Sequence, residues 1–108
     1  MPTVRPDLSL LAVDDVGAVG LALNSVKIDK EPCGYVGTLG VVRRARGQGL
    51  GKALLHESFR RFRATGWHQA KLHVQVGNRT GADRLYRRVG MSSGTVDECW
   101  SLPLAAVR

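Results

Sequence analysis

Aromatic residues make up only 6% of this 108-residue chain. Interleaving of aromatic with basic residues is therefore poor, which weakens a base-stacking platform for single-stranded nucleic acid. Cysteine is almost as scarce. Cys33 and Cys99 are far apart, form no CxxC pair, and belong to no Cys/His cluster with metal-ligand spacing. They read as free, buried thiols rather than a disulfide, and no metal is expected. No apolar run reaches the ~18 residues that a membrane helix needs. Residues 1–7 lack the apolar stretch of a secretory leader, so a cytoplasmic location is expected. Acids are nearly missing from the middle. Between Arg43 and Arg88, twelve Lys/Arg stand against Glu57 and Asp83 alone, in a chain of net charge +7. Such a basic centre calls for an anionic partner, either nucleic acid or a phosphate-rich small molecule. The plainer alternative is a solvated helix face.

What is present is ordinary for a globular domain, with 44% hydrophobic and 23% charged residues. The length fits one domain over residues 1–108. Residues 8–13 read as a buried strand. Asp14-Asp15-Val16-Gly17 marks a turn, and residues 18–26 form the second arm of a hairpin. Residues 35–42 form a third strand, in which Gly37 and Gly40 allow a bulge or a close backbone approach by a ligand. Residues 49–64 read as a helix. Gly51, Leu54, Leu55, Ser58, Phe59 and Phe62 share one face of it, while Lys52, His56, Arg60 and Arg63 lie opposite. A fourth strand spans 70–76. A second helix follows a Thr80–Asp83 capping box, puts Ala82, Leu85, Tyr86 and Val89 on one face, and stops at Gly90. A last strand spans 96–102. The order β-β-β-α-β-α-β predicts an α+β fold: a mixed, mostly antiparallel sheet with a central parallel β-α-β unit.

The segment Arg46-Gly47-Gln48-Gly49-Leu50-Gly51 lies between a strand and a helix. Glycines there let a ligand approach the backbone, and a helix N-terminus offers free N–H groups and partial positive charge to a phosphate. Arg43, Arg44, Arg46 and Lys52 add formal charge. The spacing fails GxxxxGK[ST], because three residues separate Gly47 from Gly51 and Ala53 stands in place of Ser/Thr. It also fails GxGxxG.

The stretch from Leu39 to Leu55, LGVVRRARGQGLGKALL, resembles the signature of the GNAT superfamily of acyl-CoA N-acyltransferases: LxV, a short linker, then [QR]xxGx[GA] opening a helix. Leu72-His73-Val74-Gln75-Val76-Gly77-Asn78 resembles that family's LxVxxxN strand. The segment from Ala82 to Met91 resembles its AxxLYxxxGF helix, with Met91 in place of Phe. These matches cover about residues 35–91. The resemblance implies acetyl-CoA as acyl donor and an unidentified primary amine as acceptor. It implies that the backbone of Leu39, Gly40 and Val41 pairs with the pantetheine arm. Amides from Gly47 through Gln48, Gly49, Leu50 and Gly51 to Lys52, beside Arg46, would cradle the pyrophosphate. Asn78 would hydrogen-bond the cofactor, and Tyr86 would protonate the departing thiolate. In some relatives a glutamate lies five residues before the asparagine. That position here is His73, which would serve as general base because histidine titrates near pH 6.5.

The family usually places a strand and two helices ahead of the hairpin. This sequence has only residues 1–7 there, which leaves open a non-catalytic acyl-CoA-binding module or one half of a larger acyltransferase. A face left bare by those helices would suit a homodimer. Nucleic acid is the weaker partner, because the basic residues coincide with the glycine loop and its helix.

Overall fold

The computed structural model describes residues 5–27, 33–73, 82–93 and 99–104. Three strands lead: β1 (Leu10–Val13), β2 (Ala18–Lys27) and β3 (Cys33–Val41). A 3-10 turn over Arg43–Ala45 opens into α1 (Leu50–Ala64). Then come β4 (Gln69–His73), α2 (Ala82–Arg88), β5 (Ser92–Ser93) and β6 (Cys99–Pro103). The six strands form one sheet in the order β1-β2-β3-β4-β6-β5. Among the described residues only β3 and β4 run parallel, and α1 connects them. This is the mixed α+β sheet with a central parallel unit that the residue pattern predicts.

The register carries a bulge where the glycines allowed one. Leu23 faces Thr38 while Asn24 faces Val36, so Gly37 is left without a cross-strand partner. A bulge of this kind bends the strand and redirects the backbone groups beyond it.

The core lies between the sheet and the helices. Leu54, Leu55, Ser58, Phe59 and Phe62 form the buried face of α1, the face the periodicity selects. Of these, Leu55, Phe59 and Phe62 share one core cluster with Val36 of β3, Ala70 and Leu72 of β4, and Trp100 and Leu102 of β6. From α2, Leu85 and Tyr86 are partly buried against this cluster, and Val89 just beyond its end is buried within it. Burying Phe59 and Phe62 alone stabilises the fold by roughly 1.5–3 kcal/mol each. One polar knot sits inside. The Asn24 side-chain amide donates to the Leu8 carbonyl at 2.7 Å and to Ser58 Oγ at 2.9 Å. Ser58 Oγ in turn donates to the Leu54 carbonyl at 2.8 Å. The knot gives partners to the Asn24 amide nitrogen and the Ser58 hydroxyl, while Asn24 Oδ1 is buried without one, and it ties α1 to β2 and to the N-terminal turn.

Three expectations need correction. The first strand starts at Leu10, not Leu8, and it is an edge strand. Leu11 is 64% exposed and Val13 66%, because these two residues point away from α1 and nothing among the described residues covers that face. Leu8 is buried, but in the turn before the strand. Of the two cysteines, neither in a disulfide, Cys33 is buried and Cys99 only half-buried. The two-residue β5 pairs with β6 through Ser92 and Ser101, and it is too short to leave a periodic trace. The proposed Thr80 cap lies outside the described residues.

Gly34 of β3 sits directly beneath Phe62. A Cβ there would overlap the Phe62 ring, which is fully buried and has nowhere to move. Gly34→Ala is expected to cost about 1–3 kcal/mol through overpacking. Urea unfolding would show this as a lower midpoint at unchanged slope. A midpoint equal to that of the parent would refute the tight seating of α1.

Candidate functional site

Where β3 ends, the chain turns over and points α1 back along the sheet. The Val42 amide still bonds to the Val19 carbonyl at 2.9 Å, and the Ala45 amide closes a tight turn onto Val42 at 3.0 Å. Gly47 and Gly49 follow with φ of 80° and 81°. That left-handed region is costly for a residue with a Cβ. Gly49 is also the N-cap of α1, and no side chain caps the helix. The first-turn amides therefore lack intrahelical acceptors, and no acid occupies the first turn to neutralise them.

The three loop glycines have different reasons. A Cβ at Gly47 or Gly49 would meet nothing within 4 Å, so these two keep the loop open and shape its backbone. A Cβ at Gly51 would lie 3.1 Å from Leu85 Cδ2, so this glycine lets α2 pack close to α1. Gly40, likewise, has open space where a side chain would be.

Together these elements form a cleft of about 320 Å³, at the small end of the ~300–1,000 Å³ typical of ligand sites. Val41, Arg46, Gly47, Gly49, Leu50, Gly51 and Lys52 line it, all of them expected from the sequence except that Ala45 joins them. Leu39, Gly40 and Gln48 are near in sequence but do not line it. The surprise comes from α2, whose Leu85 and Arg88 form the opposite wall.

The cations around the loop divide by partner. Arg44 makes a forked pair with Asp14, Nη1 to Oδ2 at 2.6 Å and Nη2 to Oδ1 at 3.2 Å. The guanidinium holds the Asp14 carboxyl well below the usual carboxylate range, helped by the Val16 and Gly17 amides that donate to Oδ1. Arg44 is thus a strut between the β1–β2 turn and the 3-10 turn, not a wall of the cleft. Arg46 donates from Nε to the Val41 carbonyl at 3.0 Å, which folds it across the loop. Arg43 is exposed and does not line the cleft.

Tyr86 is half-buried, with its ring 5.4 Å from that of Trp100 at 56°. It lies on the same helix as Leu85 and Arg88 but does not line the cleft. The backbone of His73 ends β4 opposite Cys99. The His73 side chain and all of Asn78 lie outside the described residues. His56, the histidine of α1, is exposed and rests edge-on against Phe59. Among the described residues, no group of His, Cys, Asp and Glu could hold a metal ion, and no helix is long and apolar enough to cross a membrane.

Comparison with known proteins agrees with this geometry. The profile of the Acetyltransferase (GNAT) family matches residues 4–91. A mycothiol acetyltransferase of Thermobispora bispora is 41% identical over 66 residues, which is 61% of this chain and 22% of that protein. One of Renibacterium salmoninarum is 32% identical over 101 residues, 89% of this chain and 29% of that protein. The chain therefore spans under a third of the length of these curated relatives. Among solved structures, the NatC complex bound to Gag peptide and CoA superimposes with a TM-score of 0.79 at 23% identity, covering 91% of this chain and 72% of that one. At that identity the likeness speaks for the fold.

Gly49→Asp would put a carboxylate into the open space over the uncapped amides. Aspartate tolerates the left-handed region better than most residues, so the fold should survive. The expected result is loss of CoA binding by calorimetry with an unchanged circular-dichroism spectrum. Undiminished affinity in a folded variant would remove the loop from the site.

Proposed function

The chain belongs to the Acetyltransferase (GNAT) family, and we propose that it transfers an acetyl group from acetyl-CoA to a primary amine by direct attack within a ternary complex. The observation that supports this best is the β3–loop–α1 unit, in which two left-handed glycines and an uncapped, acid-free helix start face a cleft lined by Arg46 and Lys52. That arrangement suits the pyrophosphate of CoA. Acetyl-CoA supplies an activated thioester. The chain's residues must hold it, stabilise the oxyanion with a backbone donor, and move two protons.

In this reading the backbone of Leu39, Gly40 and Val41 takes the pantetheine arm, and the open space over Gly40 leaves room for it. The bulge at Gly37 lies just upstream, where the ladder between β2 and β3 is interrupted. Asn78 bonds the cofactor farther along. Tyr86 gives its phenolic proton to the CoA sulfur as the C–S bond breaks, and His73 takes a proton from the attacking amine. Packing on Trp100 restricts the Tyr86 ring, which favours a fixed acid. The relatives named mycothiol acetyltransferase make a small-molecule amine the first acceptor class to try.

A second reading is favoured by length. Because the chain spans 22–31% of the curated relatives' lengths, it would be the CoA-binding unit of a longer acyltransferase, with the acceptor site completed elsewhere. Thiol release from acetyl-CoA, followed across a panel of small amines and peptides, separates the two. Tight CoA binding without turnover on any acceptor supports the second reading.

Given an active acceptor, Tyr86→Phe should lower kcat about 10²-fold or more while KM for acetyl-CoA stays near the parent's. Near-normal kcat would reject Tyr86 as the acid. His73→Ala should lower the rate and abolish the limb of the pH–rate profile that rises through about pH 6–7. An unchanged limb and rate would discard His73 as the base.

A further inference from the structure

Several of the basic side chains around α1 and α2 already have something to hold. Arg44 pairs with Asp14, Arg60 and Arg61 with Glu57, and Arg5 with Asp7. Arg46 holds the Val41 carbonyl, and Arg87 lies 5.6 Å over the Trp100 ring. Lys52 and Arg88 differ. They line one cleft from opposite walls, Lys52 from the first turn of α1 and Arg88 from the last turn of α2. Among the described residues, neither has an acidic partner. Two like charges facing one small cleft repel each other unless an anion lies between them.

The cleft offers two kinds of anion receptor. The uncapped amides and helix dipole suit a phosphodiester of modest charge, as in the pyrophosphate. A pair of side-chain cations suits a phosphomonoester, which carries roughly −1.5 to −2 at pH 7. Coenzyme A carries both groups, the second as its ribose 3′-phosphate. Resting on the acetyl-CoA reading above, we infer that Arg88, with Lys52 opposite, holds the 3′-phosphate and makes the chain select CoA over 3′-dephospho-CoA. Arg88 is the better discriminator, because its planar fork can take two phosphate oxygens where the Lys52 ammonium acts as a point charge.

The test is calorimetry of CoA and 3′-dephospho-CoA against the parent chain, Arg88→Gln and Arg88→Lys, each checked for an unchanged melting temperature. The parent should prefer CoA by about 10-fold or more, the scale of charge-assisted hydrogen bonds. That preference should shrink below about pH 6, where the monoester dianion takes up a proton and becomes a monoanion. Arg88→Gln should bind CoA about as weakly as the parent binds 3′-dephospho-CoA, and should bind 3′-dephospho-CoA as the parent does. Arg88→Lys should recover part of the preference. Equal weakening of both ligands would assign Arg88 to the pyrophosphate and overturn the inference, as would no change in either. If the parent bound neither ligand, the acetyl-CoA reading itself would fall. If it bound both equally, only the 3′-phosphate assignment would.

Discussion

The seating of Phe62 on Gly34 governs where everything else in the site lies. A helix lands on a sheet wherever its apolar face finds room, and β3 makes room by having no side chain at Gly34. With Phe62 and Phe59 fully buried, the C-terminal half of α1 cannot slide or roll without exposing aromatic surface. The Asn24–Ser58 bond fixes its middle. The N-terminal turn is then held at the end of β3, where Gly20 lets Leu50 and Leu54 approach within 3.1 Å of a would-be Cβ. An anion site built from backbone amides is only as well placed as the helix that carries it. Here the helix is placed by its opposite end.

Much of this was legible in the sequence because it is local or periodic. The buried face of α1 follows from a spacing of three and four residues. The strands of the hairpin and β3 follow from apolar runs broken by turn residues, and the bulge from a glycine inside such a run. What escaped depends on contacts between distant segments. The exposure of Leu11 and Val13 is a property of an edge strand, and a run of five apolar residues in six looks the same at an edge as in the centre. Gly47, Gly49 and Gly51 look equivalent as letters, yet two serve the loop and one serves Leu85, 34 residues downstream of Gly51. The part of Arg88 in the cleft left no motif. Its signal was the (i, i+3) spacing from Leu85, which places both on neighbouring turns of one face.

The charge pattern gains meaning when sorted by partner. A net charge of +7 would suit any polyanion. In the fold, though, several arginines are already spoken for. Asp14 claims Arg44 although the two are 30 residues apart, and so turns a cation that looked like a phosphate ligand into a brace for the loop's first turn. Both partners are about half-exposed, so solvent screens the pair and its contribution is to geometry more than to stability. At neutral pH the pair is fully charged, since the Asp14 carboxyl lies below its ordinary 3.8. The brace would weaken only as the pH fell beneath that range, so the site's own titration near neutrality has to come from other groups.

The short helix α2 joins the two ends of the site. Seven residues are too few to form a stable helix alone, so its position comes from what its side chains touch. Leu85 lies against the gap at Gly51, and Tyr86 against Trp100. Arg88, one turn on from Leu85, reaches the cleft. The residue expected to protonate the leaving thiolate and the residue that closes the far wall are thus two positions apart on one rigid turn. A shift of α2 that misplaced one would misplace the other. A larger residue at Gly51 would therefore disturb the anion end, which Gly51 itself lines, and also Tyr86, which does not line the cleft, because it acts on Leu85 and through it on the whole helix.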